Sequence, residues 1–141
     1  MKMKSFLKFI LLLSSVLCNL ACSNVNKPQN EIKKIISSCV SCPKNFKFVM
    51  LIPSLGCVGC ISDAEEFLKE NINNSDYLFV LEEVQSKKML KIRLGFDFER
   101  SERVIYINDK INFLEEFTSP LIFDASTGLI SPWKKLQVFQ N

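Results

Sequence analysis

Phe46 to Pro53 (FKFVMLIP) is an almost unbroken apolar run of strand length, Ser62 to Asn73 is amphipathic at helical spacing, and Tyr77 to Leu81 (YLFVL) is a second apolar run. Strands that read as continuous apolar runs are covered on both faces, and a strand–helix–strand unit supplies that cover. In the helix, Ala64, Phe67, Leu68 and Ile72 share one face, with Asp63, Glu65, Glu66, Lys69 and Glu70 on the other. Gln85 to Leu94 reads as a second helix that stops at Gly95, and Val104 to Ile107 (VIYI) as a strand ending in the turn-prone Asn108-Asp109. Pro120 to Asp124 and Leu129 to Ser131 flank Ala125-Ser126-Thr127-Gly128 as a hairpin, whereas residues 110–118 show no clear period. The expected fold is α/β, a three-layer sandwich with a mixed central sheet and flanking helices over residues 46–141. Only Trp133 to Phe139 is left to cap its shortened C-terminal end.

The chain ahead of that domain has a different character. Met1-Lys2-Met3-Lys4 and Lys8 make a positive start, Phe9 to Leu17 (FILLLSSVL) is a nine-residue apolar core, and Asn19-Leu20-Ala21-Cys22 follows, the order of an export signal. Nine residues are too few to span a bilayer, which takes about 20. The end of the signal resembles a bacterial lipobox, with Ala21 before Cys22 and Asn19 where that pattern usually has Leu. The resemblance implies that residues 1–21 are removed and that the Cys22 thiol carries lipid. Ser23 to Asn30 (SNVNKPQN) is polar and reads as a tether, and Ile32, Ile35 and Ile36 give Glu31 to Ser38 the spacing of a short helix. Residues 22–45 thus form a segment of lipid-attachment cysteine, tether and short helix with its own Cys-x-x-Cys.

Charge and composition exclude several functions. The excess of 18 basic over 15 acidic residues is carried by Lys2, Lys4 and Lys8 of the signal, which leaves the domain without the cationic face that nucleic acid requires. No His occurs in the 141 residues. Imidazole chemistry is therefore absent: no Ser-His-Asp triad, no Cys-His nucleophile, no His-ligated zinc, haem or copper. Cysteine remains, and outside the cytosol Cys39, Cys42, Cys57 and Cys60 can persist as disulfides.

Between the first strand and first helix stands Pro53-Ser54-Leu55-Gly56-Cys57-Val58-Gly59-Cys60-Ile61. A Cys-x-x-Cys at a helix start places its first sulfur against unpaired backbone N–H groups and the positive end of the helix dipole, which favour the thiolate. Cys57 is then the nucleophile. Cys60, one turn further, resolves the mixed disulfide. Ser62-Asp63-Ala64-Glu65 also fits a capping box, and a helix beginning there would leave both sulfurs in the loop without that stabilisation.

At these residues the chain resembles the thioredoxin superfamily, in particular its exported TlpA/redoxin-like branch. The resemblance runs from Phe46 to Ile130 and includes Cys57-Val58-Gly59-Cys60 together with Thr118-Ser119-Pro120-Leu121-Ile122-Phe123-Asp124 and the following Gly128. It implies that Pro120 is a cis proline beside the dithiol, that Ser119 offers its backbone to substrate, and that Val58 and Gly59 border the substrate. Two departures stand out. Gly56 occupies the place of a tryptophan, and the first strand lacks a buried acid, for which Glu82 or Glu83 could stand in. No cofactor is implied.

Cys39-Val40-Ser41-Cys42 is the second pair, and together the pairs approach a four-cysteine zinc spacing. Eight strand residues at about 3.3 Å each hold them some 26 Å apart, against Zn–S bonds near 2.3 Å. The pair is read as a local structural disulfide at the far end of the sheet, with a relay dithiol as the alternative. Ser54-x-x-Cys57 faintly matches a peroxiredoxin pattern, yet no Arg is placed by sequence to support a peroxidatic thiolate. The expected function is disulfide exchange with thiols or disulfides of other exported proteins, fed by an upstream redox partner. The site would lie in the cell envelope, facing the periplasm or exterior from a lipid anchor. Alternatives are a non-catalytic binding module and a thiolate metal-binding protein.

Overall fold

The computed structural model describes residues 27–83 and 86–134. The signal, the lipidation position Cys22 and residues 23–26 of the tether lie outside the described residues, as does the C-terminal cap beyond Lys134. The elements are helix α1 (Lys27–Ser38), strand β1 (Phe48–Ile52), helix α2 (Val58–Asn71), strand β2 (Tyr77–Glu82), helix α3 (Lys87–Leu94), and strands β3 (Val104–Ile107), β4 (Leu121–Asp124) and β5 (Ile130–Pro132). Short 3-10 turns occupy Phe98–Arg100 and Asn112–Glu116.

The strands form one five-stranded mixed sheet of order β3-β2-β1-β4-β5. β1 pairs parallel with β2, β2 parallel with β3, and β4 lies antiparallel to both β1 and β5. The steps β1 to β2 and β2 to β3 run in the same direction across the sheet. Right-handed crossovers taken in one direction put their helices on one face. Accordingly, Ala64 and Leu68 of α2 and Leu90 and Leu94 of α3 share a core with Met50, Ile52, Phe79, Leu81 and Ile122. The alternate residues Val49, Leu51, Leu78, Val80, Leu121 and Phe123 point the other way and meet Ile32 of α1 and Ile111, Phe113 and Leu114 around the second 3-10 turn. Each such side chain withdrawn from water contributes about 1.5–3 kcal/mol, which is why the buried Tyr77 to Leu81 of β2 reads as an apolar run, with the buried Glu82 closing the strand.

Three local findings refine the sequence reading. α1 begins at Lys27, so Lys27 to Asn30 are helical and not tether. Pro28 sits in the first turn, where its missing N–H costs no helical bond. α3 starts after Ser86, whose hydroxyl oxygen accepts the Met89 N–H at 3.3 Å, and ends on Gly95 at φ 77°, whose N–H reaches Lys91 O at 2.9 Å. Residues 110–118 lack a period because their regular part is a 3-10 turn, too short to show one. At the described C-terminal end, buried Trp133 packs its ring 5.3 Å from that of Phe67 and closes the α2 face of the core.

Candidate functional site: the dithiol at the start of α2

The backbone leaves β1 at Ile52, turns through Pro53 to Gly56, and enters α2 at Val58 with Cys57 as the N-cap residue. Cys57 is extended (φ −62°, ψ 113°) and its sulfur accepts the Cys60 N–H at 3.3 Å, the bond an N-cap serine would make with the third helical residue. Its carbonyl accepts the Ile61 N–H at 3.0 Å, the first turn of the helix. Ser62 is therefore interior to α2. The capping box it would form with Glu65 is not used, because the Glu65 carboxylate is taken by a bidentate pair with Arg93 of α3 at 2.7 and 2.8 Å. That carboxylate also holds the Arg93 guanidinium above its ordinary pKa.

Cys57 and Cys60 are joined as a disulfide, with Cα atoms 5.1 Å apart. Cys57 is exposed and Cys60 half-buried. Cys57 is thus the more accessible residue of the pair. Val58 is 80% exposed, and no atom lies within 4 Å of a Cβ built on Gly59, so the helix start presents an open surface.

The segment before β4 supplies the other wall. Thr118 O accepts the Cys57 N–H at 2.8 Å. A Cβ on Gly56 would stand 2.6 Å from that same oxygen, and Gly56 has φ +154°. Glycine is required here by close approach of a carbonyl, which accounts for the absence of a large side chain before Cys57. The proline expectation is corrected: no cis peptide occurs among the described residues, so Ser119-Pro120 is trans. Pro120 is buried one residue before β4, where its lack of an N–H costs no ladder bond, and its carbonyl accepts the Trp133 N–H at 3.1 Å. The backbone group that meets the dithiol loop is the Thr118 carbonyl. Ser119 is half-buried beside it.

Glu82, at the end of β2, is the buried acid of the site, 5% exposed. One carboxylate oxygen accepts the Ile111 N–H at 2.6 Å and the other the Ser54 N–H at 3.3 Å. It ties the dithiol loop to the segment leading to Thr118. Glu83 turns out of the strand at φ 33°. Two cavities flank the loop and share Glu82, Pro53 and Ser54. One of about 290 Å³ opens between α2 and α3 over Glu65, Arg93 and Met89. The other, about 270 Å³, is lined by Leu55, Gly56, Leu114, Phe117 and Thr118, with Lys110 paired to Glu115 at 3.3 Å.

The second pair, Cys39 and Cys42, is also a disulfide, with Cα atoms 5.5 Å apart, immediately after the last turn of α1. It borders Pro43 and Phe46, at the opening end of β1, whereas Cys57 follows the closing end. Sheet separates the pairs, and among the described residues no group of three or more Cys, Asp or Glu side chains comes together as a metal site. Nor, among them, is any helix long and apolar enough to cross a membrane.

Comparison with protein-family models, with curated proteins and with solved structures finds no match for this chain.

Proposed function

We propose that this chain is an exported, membrane-tethered thiol–disulfide oxidoreductase with a thioredoxin-like fold, working through Cys57 and Cys60. One observation carries the reading: the exposed sulfur of the pair is itself the N-cap of α2. A sulfur there lies against the free N–H groups of the first turn, and negative charge on it is favoured over the neutral thiol. The mixed α/β sheet, the strand–dithiol–helix order and the approach of the segment before β4 support the fold assignment.

The exchange balances in two steps. In the reduced protein the Cys57 thiolate attacks one sulfur of a partner disulfide, forming a Cys57–partner bond and releasing the other partner sulfur, which takes up a proton. Cys60 then gives up its proton and attacks the Cys57 sulfur, forming the Cys57–Cys60 disulfide and releasing the second partner thiol. Two electrons pass from the protein to the partner. The same steps reversed oxidise a partner dithiol, and the relative reduction potentials set the direction. An upstream thiol or disulfide partner in the envelope restores the starting state.

The experiment is trapping. A Cys60→Ser variant of the full chain lacks the resolving sulfur, so Cys57 accumulates mixed disulfides with its partners in cells, seen as adducts that vanish on reduction. Lack of adducts in Cys60→Ser, with the variant folded and exported, overturns the proposal.

A further inference from the structure

We infer that β3 is a pairing edge that takes the β3 of a second copy of this chain, antiparallel across a two-fold axis at Tyr106, so that two five-stranded sheets join into one of ten strands. The inference stands apart from the dithiol chemistry.

Among the described residues β3 and β5 are the terminal strands of the sheet, each with one side that no strand covers. Such edges take up further strands unless they are short, charged or broken by proline. β5 is defended: it is three residues long and ends in Pro132, which has no N–H to offer. β3 is not. Val104–Ile107 carries neither charge nor proline. Val104 and Tyr106 pack on one core of the sheet and Ile105 and Ile107 on the other, yet Val104, Tyr106 and Ile107 stay only half-buried.

The hydrogen bonds of β3 decide which of its groups are open. The Phe79 N–H donates to Arg103 O at 2.9 Å and the Glu83 N–H to Ile107 O at 2.8 Å. Alternate residues of a parallel strand address the same neighbour, so Arg103, Ile105 and Ile107 face β2 while Val104 and Tyr106 face the open side. The Val104 N–H is taken by Ser101 O at 3.3 Å. An antiparallel pair centred on Tyr106 exchanges the N–H and C=O of that residue with those of the second copy's Tyr106. A pair centred on Ile105 would call on the Val104 N–H and break its bond to Ser101.

The residues around β3 fit the Tyr106 register. Ile105 falls opposite the second copy's Ile107, and Ile107 opposite its Ile105. Further out, Arg103 meets the second copy's Asp109 and Glu102 its Lys110, each twice by symmetry and each an opposite pair. Glu102, Asp109 and Lys110 are exposed, the last also paired with Glu115 at 3.3 Å. A copy docked parallel and in step would set every one of these charges against its own kind. So short an edge buries less than a standard interface, and the dimer is therefore weak and grows with concentration. Because β1, β2 and β3 run parallel, the two-fold sends the two dithiols to opposite ends of the joined sheet, both open to partners.

Cross-linking tests the pairing. Two differently tagged copies of the full chain, Glu102→Cys in one and Lys110→Cys in the other, both with Cys57→Ser and Cys60→Ser, are purified together and treated with a short bis-maleimide. The mixed adduct should exceed by several-fold the adduct of either copy with itself, because like positions lie eight residues out of step, about 26 Å. A mixed adduct no stronger than the self-adducts, or no stronger than that of the chain without added cysteines, overturns the inference.

Charge exchange tests the register, with sedimentation of the full chain at rising concentration as the readout. Glu102→Lys and Lys110→Glu each set like charges across the axis and should raise the half-dimer concentration several-fold, whereas the two together should restore it. Damage to the fold would lower the urea midpoint and would accumulate in the double variant instead of cancelling. A parent chain that stays monomeric at every concentration, or a double variant no better than the singles, overturns the inference.

Discussion

The Cys57 N–H donates to the Thr118 carbonyl across 2.8 Å, and Gly56 passes so close behind that a Cβ there would lie 2.6 Å from the same oxygen. Cys57 is thus anchored from behind by backbone while its sulfur faces solvent. Gly56→Ala must either push the carbonyl away or rotate out of φ +154°. The expected cost is about 1–3 kcal/mol, read as a lower urea midpoint, with slower alkylation of reduced Cys57 as the N-cap geometry loosens. Gly59→Ala is the control. Nothing lies within 4 Å of its Cβ and it sits in the first turn of α2, so it should leave the midpoint unchanged or raise it by a few tenths of a kcal/mol.

Glu82 carries the second prediction. Both its oxygens accept backbone N–H groups, from Ile111 at 2.6 Å and Ser54 at 3.3 Å. Glu82→Ala leaves the buried Ile111 donor unpaired and frees the Ser54 turn, at an expected cost of about 2–4 kcal/mol in urea unfolding. Glu82→Gln keeps one acceptor and turns an amide N–H against the other donor, so its loss should be about half as large. If the two variants are equally stable, the carboxylate does not hold the loop.

Much of this was legible in the residues. β1, β2 and β4 announce themselves as apolar runs because they are covered on both faces, and α2 shows its two faces plainly. The start of α1 did not, since Lys-Pro-Gln-Asn has no apolar residue and its proline reads equally as a breaker or as a first-turn residue. The start of α2 was ambiguous between Cys57 and Ser62. What decides it is Arg93, 28 residues away, which occupies Glu65 and removes half of the capping box. Thr118 was missed because it acts through a carbonyl, which every residue has. The glycine opposite it was the one visible sign.

The two disulfides share a spacing but sit at opposite helix poles. Cys57 precedes the N-terminus of α2, whereas Cys39 follows the C-terminus of α1, with its N–H on Ile36 O at 3.2 Å, at the negative pole of that helix. Negative charge is favoured at the first and disfavoured at the second, so reduction to thiolate is easier for Cys57–Cys60. In graded dithiothreitol, alkylation and peptide mapping should show Cys57 and Cys60 modified at lower reductant than Cys39 and Cys42. The Cys39→Ala, Cys42→Ala double variant should lose about 2 kcal/mol, the chain-entropy value for a loop this short, and still form Cys57 adducts in a Cys60→Ser background. The reverse order of reduction would assign the redox role to the wrong pair.

The acid limb of stability should report a charge cluster that pins α3 to the following 3-10 turn. Glu99 accepts from Lys87 at 2.8 Å and pairs with Lys91 at 2.6 Å, while Lys91 also reaches Asp97 at 2.8 Å. The Lys87 ammonium, then that of Lys91, lowers the Glu99 carboxyl from 4.5 to about 2, and Lys91 lowers Asp97 as well. A depressed carboxyl stabilises the folded chain fully above its unfolded pKa and loses that contribution as pH falls through the folded value. For Glu99 the window lies between 4.5 and about 2. Lys91, raised chiefly by its bond to Asp97, acts with the opposite sign at the alkaline end, its contribution fading as pH climbs through the raised value. Urea midpoints taken down the acid range should fall less steeply in Glu99→Gln than in the parent chain, and added salt should narrow the gap because the cluster is solvent-accessible. Parallel curves for the two proteins would mean that these ion pairs do not hold the turn.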